Sequence, residues 1–208
     1  MIKALLLIFD PIATWDGILR ARRGVLSLLL IYLLPMLLIV SACEGYGLVH
    51  LGKWQGGVPH LKMFSVGEAV VVETAQLLLS LVVVFAGAKM VKAVGETFRG
   101  RHTYAQAFEA VAYGMSPLFL LRLCDAFTEV NPWVTWAIGI MLCIATLYHG
   151  IPRMMEPDPS HAFGLYLMSA LLLALITALA RWVMWAYLVG KIPKLQAIVA
   201  DLVARLPF

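Results

Sequence analysis

Five runs of apolar residues, each about as long as the hydrocarbon core of a bilayer requires, dominate this sequence. A membrane-crossing helix takes about 20 such residues. The runs cover about 25–43, 69–91, 104–123, 133–151 and 163–188, and they leave only short connections and two terminal segments. No soluble domain of useful size fits beside them in 208 residues. Composition agrees: 62% of the chain is hydrophobic and 13% charged, against roughly 45–50% and about 25% in soluble domains. The expected fold is therefore all-α, a polytopic bundle of five transmembrane helices with amphipathic helices at both termini.

Expected domain boundaries follow from the pattern at the two ends. Over residues 1–24, Asp10 can cap a helix that has Pro11 at its first position. Ile12, Trp15, Ile18 and Leu19 then recur on one helical face, with Arg20, Arg22 and Arg23 toward the headgroups. The region before Asp10 lacks a small-residue cleavage pattern, so it is expected to stay in the mature chain. The membrane domain occupies 25–190. After it, Leu195, Ile198, Val199, Leu202, Val203 and Leu206 form a helical stripe, which predicts an amphipathic helix over 191–208.

The formal net charge of +4 comes from Lys and Arg clustered at the ends of the apolar runs, a pattern that sets orientation and excludes a nucleic-acid-binding role. The N-terminal segment holds Lys3, Arg20, Arg22 and Arg23, and the second loop region Lys89, Lys92, Arg99 and Arg101, whereas the intervening loops hold fewer. Alternation places the N-terminus in the cytoplasm and the C-terminus outside; Lys191, Lys194 and Arg205 in the tail pull the other way.

Polar groups inside the runs are the candidate binding residues, because an ionisable group in hydrocarbon is costly and faces a partner or water. Glu73 in the second span and Arg181 in the fifth fall at similar depth and are expected to pair, with Gln76 one turn from Glu73. A structural ion pair is the plainer reading and a headgroup or ion site the sharper one. Glu109, Lys89 and His149 gather within about two turns of the cytoplasmic face, where snorkelling to water explains them equally well. Ser116 and Pro117, after Gly114, are expected to loosen the third helix at mid-membrane. Ala112 and Ser116, and Ala170, Ala174 and Ala178, permit close helix packing in lipid.

The third span opens on Gly100, Tyr104, Gln106 and Phe108 and continues Ala112-Tyr113-Gly114-Met115-Ser116-Pro117, behind an N-terminal stretch that holds Asp10-Pro11 and Trp15. In these elements, and in its five spans, the chain resembles the Ypt-interacting-protein (Yip) family. Eukaryotic members bind prenylated Rab-type GTPases and take part in vesicle traffic; bacterial relatives are cytoplasmic-membrane proteins. The sequence lacks the long soluble N-terminal region and the Asp-Leu-Tyr-Gly-Pro element of the eukaryotic branch, so the bacterial branch fits better and a small-GTPase partner is not expected.

Catalytic signatures for metalloproteases, serine hydrolases and nucleotide binding are absent, and the five histidines show no ligand spacing. No enzyme activity, cofactor or metal is expected. Cys43 and Cys124 fall on the same expected side, but two stray thiols explain them as well. The expected function is a non-enzymatic scaffold or adaptor in membrane organisation or trafficking, with membrane lipids and either protein partners or a second copy of the chain as its partners. The alternative is a small transporter or lipid-handling protein that works through the intramembrane polar residues.

Overall fold

A computed structural model describes residues 2–55, 60–98, 102–189 and 191. Five helical segments are long and apolar enough to cross a membrane: Val25–His50, Val66–Thr97, Tyr104–Ala126, Pro132–Met155 and Ala162–Leu188. The stripe expected over 191–208 lies outside the described residues apart from Lys191.

Two short helices precede the spans, α1 (Ile2–Phe9) and α2 (Pro11–Ala21). The Asp10 carboxylate accepts from the Ala13 backbone N–H at 3.3 Å, and Pro11 fills the first helical position. The first span comprises α3 (Val25–Leu28), a π-helical turn at Leu29–Leu33 and α4 (Leu34–His50). The π turn ends two residues before Pro35. Proline has no N–H to give and its ring crowds the carbonyl four residues back; a widened turn absorbs that conflict without breaking the span.

A two-stranded antiparallel hairpin, β1 (Lys53–Gln55) with β2 (His60–Lys62), follows and was not expected in an all-α chain. Next comes α5 (Val66–Thr97), which starts at a capping box: Ser65 Oγ accepts from the Glu68 N–H, and the Glu68 carboxylate accepts from the Ser65 N–H. Its 32 residues extend about 48 Å, so it tilts or projects beyond the hydrocarbon.

The third span is interrupted. It consists of α6 (Tyr104–Gly114), α7 (Ser116–Leu121) and a 3₁₀ turn at Arg122–Ala126. It is the innermost span: 78% of its most apolar stretch is buried, against 33–44% for the other four. Because the bundle surrounds it, it can be the least apolar and still avoid lipid. The last spans are α8 (Pro132–Met155) and α9 (Ala162–Leu188).

The main core joins α1 and α2 to the spans through Leu7, Trp15, Ile18, Leu33, Met36, Phe108, Tyr113 and Leu147. Outward faces carry Leu30, Ile31, Val82, Met141 and Leu175, each more than half exposed, as expected for surfaces solvated by lipid tails. The small residues Ala112 and Ser116 are fully buried, and Ala170 nearly so.

Candidate functional site

The break in the third span builds the polar interior. Pro117 cannot donate to the preceding turn and sits at the start of α7, and Met115 forms the junction. The 3₁₀ turn that ends the span then brings Arg122 and Asp125 into the bundle, where they are 8% and 0% exposed. Gly47 lets α4 approach that turn: a Cβ there would overlap the Ala126 carbonyl.

Arg122 is the hub of one cluster. Its Nη2 donates to Glu44 Oε2 at 2.6 Å and its Nη1 to Ser80 Oγ at 3.2 Å. Glu73 Oε2 stands 3.8 Å from the same Nη2. Gln76 Nε2 donates to both Glu44 oxygens, at 3.2 and 3.1 Å, and the Gln76 backbone carbonyl accepts the Ser80 hydroxyl at 2.7 Å. A second pair adjoins it. Arg181 Nη2 donates to Asp125 Oδ2 at 2.6 Å and to the Pro132 carbonyl at 2.7 Å, and Thr135 Oγ1 donates to Asp125 Oδ1 at 2.5 Å.

Both clusters contribute to one partly open pocket of about 70 Å³, lined by Gln76, Ser80, Arg122, Asp125, Thr135 and Arg181. A volume of that size holds a few water molecules. Its charged lining is the two guanidiniums and the Asp125 carboxylate, while Glu44 and Glu73 meet Arg122 from outside that lining. Among the described residues no group of His, Cys, Asp and Glu could hold a metal ion, and all three cysteines are free thiols.

The expected Glu73–Arg181 pair does not form. Arg181 is taken by Asp125, and Glu73 turns to Arg122. Asp125 wins because the 3₁₀ turn places it between α8 and α9, whereas Glu73 lies on the side of α5 that packs on α4. The sequence reading missed Glu44, Arg122, Asp125 and Thr135. Glu44 stands one residue beyond the expected end of the first span at 43, and Asp125 two residues beyond the expected end of the third at 123. Arg122 falls inside the expected third span, but nothing in its spacing names its partners.

Glu109, Lys89 and His149 are not brought together. Glu109 Oε1 accepts from the Arg23 backbone N–H at 3.0 Å, tying the start of the first span to α6. Lys89 is exposed on an outer groove with Lys92 and Tyr104. His149 is half-buried beside the Tyr148 ring. Spacing along separate helices fixed their depth but not their azimuth.

Ser116 does reach a partner: its hydroxyl lies 2.6 Å from Tyr32 Oη and also donates to the Ala112 carbonyl at 3.0 Å. Close by, Trp15 Nε1 donates to the Thr146 carbonyl at 3.0 Å, and Thr146 Oγ1 donates to the Gly114 carbonyl at the helix break, also at 3.0 Å. Trp15 is fully buried, so α2 is docked on the bundle by its indole rather than merely floating in the headgroups. Lys3, on α1, is held below the usual lysine range by burial and then by Arg23, with Glu109 opposing.

Four apolar spans around an interrupted fifth, with buried arginine–carboxylate pairs enclosed, define a multi-pass integral membrane protein. The family model for the Yip1 domain matches residues 5–193, so the chain belongs to the Yip family. Comparison with curated proteins and with solved structures yields no match.

Proposed function

We propose that this protein is a non-enzymatic scaffold of the bacterial cytoplasmic membrane, with its N-terminus in the cytoplasm and its C-terminus outside. The observation that carries the reading is the rigid attachment of the N-terminal helix pair to the bundle. The Trp15–Thr146 and Arg23–Glu109 hydrogen bonds hold α1 and α2 at one depth, and Leu5, Leu6, Phe9 and Ile12 remain between 46% and 82% exposed. Apolar side chains on a fixed surface helix suit a lipid headgroup layer or the apolar face of a partner. The basic residues around this pair support its cytoplasmic placement, and no small GTPase is needed for it.

Deletion of residues 2–21, compared with the full chain in pull-downs from native membranes, tests the reading. A scaffold loses its partners in the deletion and keeps them in Glu73→Gln and Glu109→Gln. A specific feature supports a second reading, that of a small transporter or lipid-handling protein: the partly open pocket between the Arg122 and Arg181 clusters. That reading requires proteoliposome flux or lipid flip that Glu73→Gln abolishes and the deletion leaves intact.

A further inference from the structure

A second concavity, of about 460 Å³, runs between α4 and α5 on the outer side of the bundle. Its walls are apolar and outward-facing: Leu38, Tyr46, Val66 and Val70 are 54–67% exposed. Its floor is not apolar. Ser41 and Glu73 line it at 7% and 8% exposure; the Ser41 hydroxyl neighbours the Glu73 carboxylate, and among the described residues neither Ser41 Oγ nor Glu73 Oε2 has a hydrogen-bond partner within 3.5 Å. Gly45 keeps the floor open, since a Cβ there would stand 3.3 Å from Glu73 Cγ.

A carboxylate oxygen buried on the floor of a lipid-accessible groove is costly unless something donates to it, and one hydroxyl supplies a single O–H. The charge arrangement says what kind of donor. Arg122 gives its short contact, 2.6 Å, to Glu44 and stands 3.8 Å from Glu73, so one guanidinium serves two carboxylates. Arg181 is engaged by Asp125, and Lys53 on the hairpin attracts Glu73 only from longer range than an ion pair. Among the described residues, Glu44 and Glu73 share a single close guanidinium, which leaves Glu73 able to take a further cation with N–H donors.

We propose that this groove binds the primary ammonium of an aminophospholipid headgroup, with an acyl chain along Leu38, Val70 and Leu77. An ammonium carries three N–H donors and one positive charge, which satisfies Glu73 Oε2 and Ser41 Oγ and balances the second carboxylate. Glu73 lies about two turns inside α5, some 10 Å from its start, within reach of a headgroup drawn down past Tyr46 and His50. A quaternary choline brings the charge without the donors, and a glycerol headgroup the donors without the charge. The inference is independent of the scaffold reading, because it concerns the opposite end of the bundle from α1 and α2.

Native mass spectrometry of the full detergent-solubilised chain, titrated with phosphatidylethanolamine, phosphatidylcholine or phosphatidylglycerol of matched acyl chains, tests it. The expected result is roughly tenfold tighter retention of the ethanolamine lipid, the scale of one charge-assisted contact. Glu73→Gln should reduce that retention to the choline level. Ala42→Phe, on the exposed wall of the groove, leaves the carboxylate intact and should weaken the ethanolamine lipid as well. It also serves if Glu73→Gln fails to fold. Equal retention of the three lipids by the unaltered chain, an unchanged preference in Glu73→Gln, or unaltered ethanolamine binding in Ala42→Phe would each overturn the proposal.

Discussion

The hydroxyls of Tyr32 and Ser116 meet at 2.6 Å where two different helices both leave regular α geometry, the first in a π turn and the third at its break. The contact couples the two irregularities, since Ser116 also holds the Ala112 carbonyl of its own preceding turn. Tyr32→Phe and Ser116→Ala should each lower stability by about 1 kcal/mol, and the double variant by clearly less than the sum. Unfolding of the four proteins by titration with a denaturing detergent measures the coupling; strict additivity would mean the two bends are independent.

Arg122 offers a sharper test, because removing it leaves Glu44 and Glu73 facing each other across a buried space. Arg122→Met should destabilise the bundle by about 3–5 kcal/mol, the usual scale for an orphaned buried charge. Adding Glu44→Gln and Glu73→Gln removes both uncompensated carboxylates and should restore most of that loss. Thermal unfolding in mild detergent compares the single and triple variants. Were the triple variant as unstable as the single one, the arginine would be acting through packing and not through charge.

The architecture was legible because hydropathy has to match the bilayer over long stretches, and five runs of Leu, Val and Ile admit no other reading. Asp10, Pro11 and the Ile12, Trp15, Ile18 spacing gave α2 for a similar local reason. What could not be read was the pairing of charges across helices. Glu73 and Arg181 share a depth, but partner choice depends on helix rotation, and the 3₁₀ turn that presents Asp125 to Arg181 has no periodic signature. Glu44 escaped notice because α4 runs on through Gly45 and Gly47 to His50, past residues that look like a span terminus. Pro117 announced the break, yet which carbonyls and hydroxyls would gather around it needed the fold.

Docking of α2 depends on a close approach that is easy to spoil. A Cβ at Gly150 would overlap the six-membered part of the Trp15 ring, and that ring is fully buried. Gly150→Leu should therefore expel the indole and release α2, as should Trp15→Ala, at about 3–5 kcal/mol for the lost aromatic. Arg20 and Arg22 are exposed even in the docked helix, but trypsin needs an unfolded backbone around its site, so limited proteolysis of vesicles with that face outward should cut both variants there much faster than the parent. Unchanged cleavage would place the stability of α2 in its contact with lipid instead.

Two glycines should respond to the same substitution with opposite signs. At Gly17, on the exposed side of α2, an added Cβ meets nothing within 4 Å, so Gly17→Ala should gain about 0.5–1 kcal/mol from helix propensity alone. At Gly47 the added atom meets the Ala126 backbone: its carbonyl oxygen, its Cα at 2.7 Å and its carbonyl carbon at 2.8 Å. Backbone cannot rotate aside as a side chain does, so α4 must move away from the 3₁₀ turn, and overpacking of this kind costs about 1–3 kcal/mol. Because that turn carries both Arg122 and Asp125, the displacement reaches the two ion pairs as well. Gly47→Ala should accordingly lose more stability than Gly17→Ala gains, with the difference read from paired melts in one detergent. A Gly47→Ala protein as stable as its parent would mean that α4 and the turn are not in backbone contact.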